Sequence, residues 1–261
     1  MKIGLTLGGG ATRGMAHLGV LSVLDEAGIP FDYISACSAG SVIAAVFCAG
    51  MSAHDMNKTA EFVQWRRLAS RNRTSWGLFS FDRLERWLTM LLGDLDFSDL
   101  EIPLAIVVAD ATNGERIVLK EGRLAKAVHA SCAVPGFVNP VVVDGHLMMD
   151  GGIVDNLPVA AAREMGSDYV IASDVFEPNY QRNGGPLARG ITALETLIRY
   201  AGGGIETADF LIAPRTPGHS FFSFKQYREL ISIGEQAAND SLSSLKESIA
   251  EYRKDHLSLD R

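Results

Sequence analysis

Short continuous apolar runs alternate along this chain with stretches whose apolar residues recur at helical spacing. Ile3 to Leu7 reads as a buried strand. From Arg13 to Ala27 the apolar positions Met15, Leu18, Leu21 and Val23-Leu24 return every three or four residues, and Gly28 and Pro30 close the helix this predicts. Tyr33 to Ala36 is a second short strand, and Ser41 to Ala49 a small-residue apolar helix stopped by Gly50. Helices are predicted over Ser52 to Ala69 and Asp82 to Leu92, with an irregular segment, Ser70 to Ser80, between them.

Further on, Ala105 to Asp110 and Arg116 to Leu119 flank Asn113-Gly114, while Val138 to Val143 and Leu147 to Met149 flank Asp144-Gly145. Both dipeptides are hairpin signals, because they tolerate the positive φ of tight turns. A helix over Pro158 to Met165, a strand over Tyr169 to Val175, a helix over Ile191 to Tyr200, a strand over Phe210 to Ala213 and a long helix over Tyr227 to Tyr252 complete the pattern. Gln181 to Gly190, with Gly184-Gly185-Pro186, reads as a surface loop. Strands alternating with helices predict an α/β fold whose parallel or mixed sheet is covered on both faces.

Composition narrows the class. The 261 residues suit one domain, 1–261, and 47% apolar with 21% charged residues excludes a mainly disordered chain. A net charge of −7 speaks against a nucleic-acid partner. The longest apolar runs fall short of the roughly 20 residues of a membrane span, and the first strand runs into a glycine loop with no cleavage site, against a signal peptide. Cys37, Cys48 and Cys132 are odd in number and lack C-x-x-C spacing, so free thiols in a reducing cytoplasm are expected.

Leu7-Gly8-Gly9-Gly10-Ala11-Thr12-Arg13-Gly14 joins a strand to a helix, where backbone amides and the helix N-terminus favour negative charge. A Walker A loop would need Gly-Lys-Ser/Thr at its end, and a dinucleotide fingerprint would need glycine at Arg13. A tight structural turn and an oxyanion hole for acyl transfer remain.

Ala36-Cys37-Ser38-Ala39-Gly40-Ser41 occupies the next strand-to-helix junction, where a nucleophile elbow G-x-S-x-G belongs, with Ala36 in place of the first glycine. The other reading of Ser38 is a helix N-cap. Cys37 is a neighbouring nucleophile, but the motif register selects Ser38. Met149-Asp150-Gly151-Gly152 puts a carboxylate at the end of an apolar run, and by itself it is equally a turn. Of the histidines at 17, 54, 129, 146, 219 and 256, only His146 lies near a motif, and it precedes the acid instead of following it. A Ser-Asp dyad is the better expectation.

Taken together, Gly8 to Gly14, Ala36 to Gly40 and Asp150 to Gly152 resemble the oxyanion loop, serine elbow and D-G-[GA] aspartate of the patatin-like phospholipase family. Ala16-His17-Leu18-Gly19-Val20-Leu21 and Ala130-Ser131-Cys132-Ala133-Val134-Pro135-Gly136 extend the likeness, which covers roughly residues 1 to 175. The resemblance implies a three-layer α/β/α fold with a central mostly parallel sheet. It also implies a lipid acyl-ester hydrolase in which Asp150 takes the proton of Ser38, the serine forms an acyl-enzyme, and Gly8, Gly9, Gly10 and Arg13 line the oxyanion hole. Arg13 matches the family arginine, with a helix-end contact and assistance to an anionic head group as its two roles. No metal or cofactor is implied. The competing expectation is a catalytically weak protein that holds a lipid or acyl anion in the same pocket.

From Trp65 to Arg83 five arginines, Arg66, Arg67, Arg71, Arg73 and Arg83, face a single acid, Asp82, and are interleaved with Trp65, Trp76, Phe79 and Phe81. Such a segment suits a lid or peripheral contact with an anionic membrane, and equally a solvated helix end whose aromatics pack on the core.

Overall fold

The computed structural model describes residues 1–60, 68–180, 184–216, 218–219 and 223–257. Its strands are β1 (Ile3–Leu7), β2 (Tyr33–Cys37), β3 (Ser70–Arg71), β4 (Phe79–Ser80), β5 (Leu104–Asp110), β6 (Arg116–Leu119), β7 (Val141–Val143), β8 (His146–Asp150), β9 (Tyr169–Ser173) and β10 (Phe210–Ile212). Its helices are α1 (Met15–Glu26), α2 (Ala39–Cys48), α3 (Ala53–Ala60), α4 (Asp82–Leu92), α5 (Leu124–Ser131), α6 (Val159–Glu164), α7 (Pro186–Tyr200), α8 (Gly204–Thr207) and α9 (Tyr227–Leu257).

Every residue of β1 is buried, as a strand with helices over both faces requires. Ile3, Leu5 and Leu7 join the main core with Leu18, Leu21, Leu230 and Leu245, under α1 and α9. On the opposite face a Cβ at Gly4 would stand 3.3 Å from the Ala162 Cβ of α6. The same split divides β9: Tyr169 and Ile171 belong to the main core, Val170 and Ala172 to the α6 side. The main sheet runs β10-β9-β1-β2-β5-β8-β7, with β6 also paired to β5. β10 through β5 are parallel, whereas β6, β8 and β7 are antiparallel additions. The expected sheet, mostly parallel and helix-covered, is the one observed.

Gly19 and Gly234 let α1 and α9 meet backbone to backbone; a Cβ on Gly19 would come within 2.6 Å of Glu235 N. Four details differ from the sequence expectation. Pro186 takes the first helical position and starts α7 well before Ile191, so the expected 181–190 loop ends there. Helix α5 was not anticipated. Ser70 to Ser80 holds an antiparallel pair, β3 with β4. The helix expected over Ser52 to Ala69 is seen over Ala53–Ala60, and residues 61–67, with Trp65, Arg66 and Arg67, lie outside the described residues.

Candidate active site

β1 and β2 end side by side, with Leu7 paired to Ala36; β1 leads through the glycine loop and a 3-10 turn, Ala11–Gly14, into α1, whereas β2 leads through Ser38 alone into α2. At the end of β2 the turn is sharp. Ser38 has φ 50° and ψ −124°, a left-handed conformation that costs a non-glycine residue on the order of 1–3 kcal/mol and is held only by its surroundings. Those surroundings are specific: Ser131 Oγ accepts from Ser38 N at 2.8 Å and donates to Val107 O at 2.8 Å, while Ser41 Oγ donates to Ser38 O at 2.6 Å. A Cβ on Gly40 would stand 2.7 Å from Gly8 O, so the elbow closes onto the glycine loop only because that position is bare. Ala36 has no positive φ and lies fully buried in the sheet between Leu7 and Ile106.

Ser38 starts α2, yet its side chain makes no capping bond to the helix. Its Oγ instead donates to Asp150 Oδ2 at 2.6 Å. Asp150 arrives on β8, whose last residue pairs with Val108 of β5, next to β2 in the sheet. Its other oxygen accepts from Gly152 N at 2.8 Å and from the Cys37 thiol at 3.8 Å. A Cβ on Gly151 would press to 2.7 Å of Val107 C, which explains the glycine after the acid. Burial dominates the carboxyl and pushes its pKa up to about 6, against the hydrogen bonds from Ser38, Gly152 and Cys37, which lower it. Burial also raises the Cys37 thiol well above its ordinary range, which disfavours the thiolate.

The glycine loop divides its amides. Gly8 N donates to Ser173 O at 3.1 Å and Gly9 N to Asn156 O at 3.0 Å, so both are spent on the scaffold. Gly10 N and Ala11 N have no partner among the described residues. The loop lies against the elbow, since a Cβ on Gly9 would be 3.2 Å from Ser38 Cβ. His17, fully buried on α1, bonds Gly8 O through Nε2 and Ser173 Oγ through Nδ1, each at 2.8 Å. Nε2 therefore carries the proton it gives to Gly8 O, and burial lowers the pKa of the ring to about 4. His17 stood in a stretch singled out by sequence, but its anchoring role was not legible there.

Arg13 is 3% exposed, and its guanidinium donates to Glu177 O and, at 2.9 and 3.2 Å, to His219 O. It ties the loop to the segments after β9 and before α9. His146 is exposed, and its Nδ1 lies 3.4 Å from Asp110 Oδ2, away from Ser38 and Asp150. Cys37, Cys48 and Cys132 are buried free thiols. Among the described residues no cluster of histidine, cysteine and acids with metal-holding geometry occurs, and no helix is long and apolar enough to cross a membrane.

An apolar cavity of about 110 Å³ opens from Ser38 between α1, α2, α3 and α4. Leu18, Val42, Val46, Ala60, Leu84 and Trp87 are among its walls, and sequence gave no sign that these helices leave a space. Leu68 and Phe81 also line it. The β3–β4 hairpin springs from between them and exposes Arg71, Arg73, Trp76 and Leu78 beside Phe137.

The model for the patatin-like phospholipase family matches residues 5–163. Human patatin-like phospholipase domain-containing protein 6 is 36% identical over 183 residues, 66% of this chain but 13% of that protein. The neuropathy target esterase sws of Drosophila melanogaster is 32% identical over 188 residues, with 67% and 13% covered. In the first relatives, then, the chain spans about an eighth of their length. Among solved structures, VipD from Legionella pneumophila superposes with TM-score 0.64 at 16% identity, covering 93% of this chain and 66% of that one. The ExoU chain of the SpcU complex from Pseudomonas aeruginosa gives 0.55 at 14% identity, covering 95% and 52%. With the match of the family model running from β1 through the serine elbow and the Asp150 loop into α6, the chain belongs to the patatin-like phospholipase family.

Proposed function

We propose that the chain hydrolyses the acyl esters of lipids through Ser38 and Asp150. The 2.6 Å bond from Ser38 Oγ to Asp150 Oδ2 is the observation that carries this reading. Ionised Asp150 accepts the serine proton as Oγ attacks the ester carbonyl. The tetrahedral oxyanion takes hydrogen bonds from Gly10 N and Ala11 N of the glycine loop before α1, and the start of α2 at Ser38 adds a helix dipole that favours negative charge. Collapse of the intermediate expels the alcohol, which receives the proton from Asp150. Water, deprotonated by the same carboxylate, then releases the acid from the acyl-enzyme.

The acyl chain occupies the cavity between α1, α2, α3 and α4, whose walls reward apolar burial. Arg71 and Arg73 on the exposed hairpin give peripheral contact with anionic head groups beside it. A fluorophosphonate probe, with p-nitrophenyl esters and a lysophospholipid as substrates, tests the proposal. The wild type labels and turns over, and Ser38→Ala does neither. Full labelling or turnover in Ser38→Ala overturns it.

A further inference from the structure

Helix α7 is amphipathic with its faces reversed. Thr192 and Glu195, each 8% exposed, point into the protein, whereas Ile191, Leu194, Leu197 and Tyr200 are 41, 53, 71 and 54% exposed. At 3.6 residues per turn Leu194 and Leu197 sit at the centre of the outward half and Ile191 and Tyr200 at its edges.

The inward polar groups hold the helix in this orientation. Thr192 Oγ1 donates to Asn179 O at 3.0 Å, Asn179 N donates to Glu195 Oε2 at 3.1 Å, and Arg199 stands 3.3 Å from buried Asp174. Beside the helix, Tyr180 is 58% and Ile153 36% exposed, so the patch gathers six of the twelve large apolar side chains exposed among the described residues. A face of this extent on one side of a helix is more than the scattered apolar residues of an ordinary surface.

The patch adjoins the dyad. Ile153 ends the short turn that Asp150 begins, and Ile198 Cγ2 lies 3.8 Å from where a Cβ of Gly152 would be. Among the described residues of the helix no carboxylate lies on the outward half, and Arg189 is exposed near its edge. A lipid surface takes up an apolar helix face at the head-group boundary and favours a basic residue at its rim.

We propose that the outward face of α7, with Ile153 and Tyr180, docks the protein on the surface of a lipid bilayer. This rests on the lipid-ester reading of the dyad, since docking there brings the Asp150 turn to the layer where ester carbonyls lie.

The test uses the full chain, its Leu194→Glu/Leu197→Glu variant and the milder Leu197→Gln, with folding checked by thermal melting. Co-sedimentation is measured with phosphatidylcholine vesicles doped with phosphatidylglycerol. Partition of the double variant is expected to fall about tenfold or more, with Leu197→Gln between it and wild type. Hydrolysis of vesicle lipid falls in step, and turnover of soluble p-nitrophenyl butyrate is unchanged. Unaltered partition in a folded double variant overturns the proposal. So does a wild-type dimer in lipid-free buffer that the substitutions dissociate without touching vesicle binding, which makes a second copy the occupant. Failure of the hydrolase reading looks different: soluble ester turnover and probe labelling are then missing from the wild type, whatever the vesicles show.

Discussion

Asp150 Oδ2 lies 2.6 Å from Ser38 Oγ, and the other groups bonded to that carboxyl, Gly152 N and the Cys37 thiol, are neutral. A carboxyl placed so is costly to ionise, and the proposed proton transfer from Ser38 draws on that raised basicity. Ser38→Ala and Asp150→Asn are each expected to lower ester turnover by several orders of magnitude while the fold persists. Groups that act as one unit are non-additive, so the double variant is hardly worse than either single. Steady-state kinetics with circular dichroism checks this, and a double variant many-fold below both singles contradicts it.

The same burial sets a pH signature. With its pKa raised from 3.8 to about 6, Asp150 keeps its proton in the native state where the unfolded chain has lost it. Its contribution to stability is thus full below the unfolded value and is lost as pH rises through about 6. The loss amounts to about 3 kcal/mol on the scale of 1.36 kcal/mol per unit. Turnover needs the ionised form and rises over the same window. Asp150→Asn is therefore expected to melt higher than wild type at pH 8, with the difference shrinking toward pH 4. Equal melting curves at pH 8 count against it.

His17 titrates in the opposite sense. Its pKa is lowered to about 4, so the neutral ring contributes stability fully above 6.5, and that contribution is lost as pH falls toward 4. His17→Ala leaves Gly8 O and Ser173 Oγ buried without their partner, at about 1–3 kcal/mol each. Turnover falls because the loop that carries Gly10 N loses its anchor, whereas His17→Gln retains part of both. Denaturant melts at pH 7 and pH 5 read the stability, and probe labelling reads the loop. An alanine variant as stable and as reactive as wild type removes the anchoring role.

On the proposed reading the cavity sets the acyl-chain length. Ala60→Leu and Val46→Phe fill space along its walls, away from the dyad. Long-chain p-nitrophenyl esters should lose at least tenfold in kcat/KM relative to the acetate, in line with about 0.8 kcal/mol for each methylene no longer buried. A chain-length profile identical to wild type places the acyl chain elsewhere.

Ala36 replaces the first glycine of the elbow without a positive φ, so glycine there only loosens the unfolded chain. Ala36→Gly is expected to cost roughly 0.4–1 kcal/mol. Ala36→Val adds volume to a site with no exposure, between Leu7 and Ile106, and should reduce probe labelling by displacing Ser38. A fully labelled valine variant shows that the elbow tolerates bulk at this position.

The sequence by itself determined the alternation of β1, α1, β2 and α2, and the residue types that a tight junction and a serine elbow demand, because these depend on neighbours in the chain. Local periodicity and turn chemistry carry that information in Ile3 to Leu7, in Gly8 to Gly14 and in Ser38 to Gly40. Only the tertiary structure decided which amides stay free, since Gly8 and Gly9 give theirs to Ser173 and Asn156, more than a hundred residues away. It alone made His17 an anchor and left His146 on Asp110. Helix α7 is the sharpest case. Its period marks an apolar face that a solitary helix would be expected to bury, yet Asn179 and Asp174 hold its polar face inward. The orientation of a helix follows from the balance of all the groups packed against it, and most of those groups lie outside the helix's own sequence.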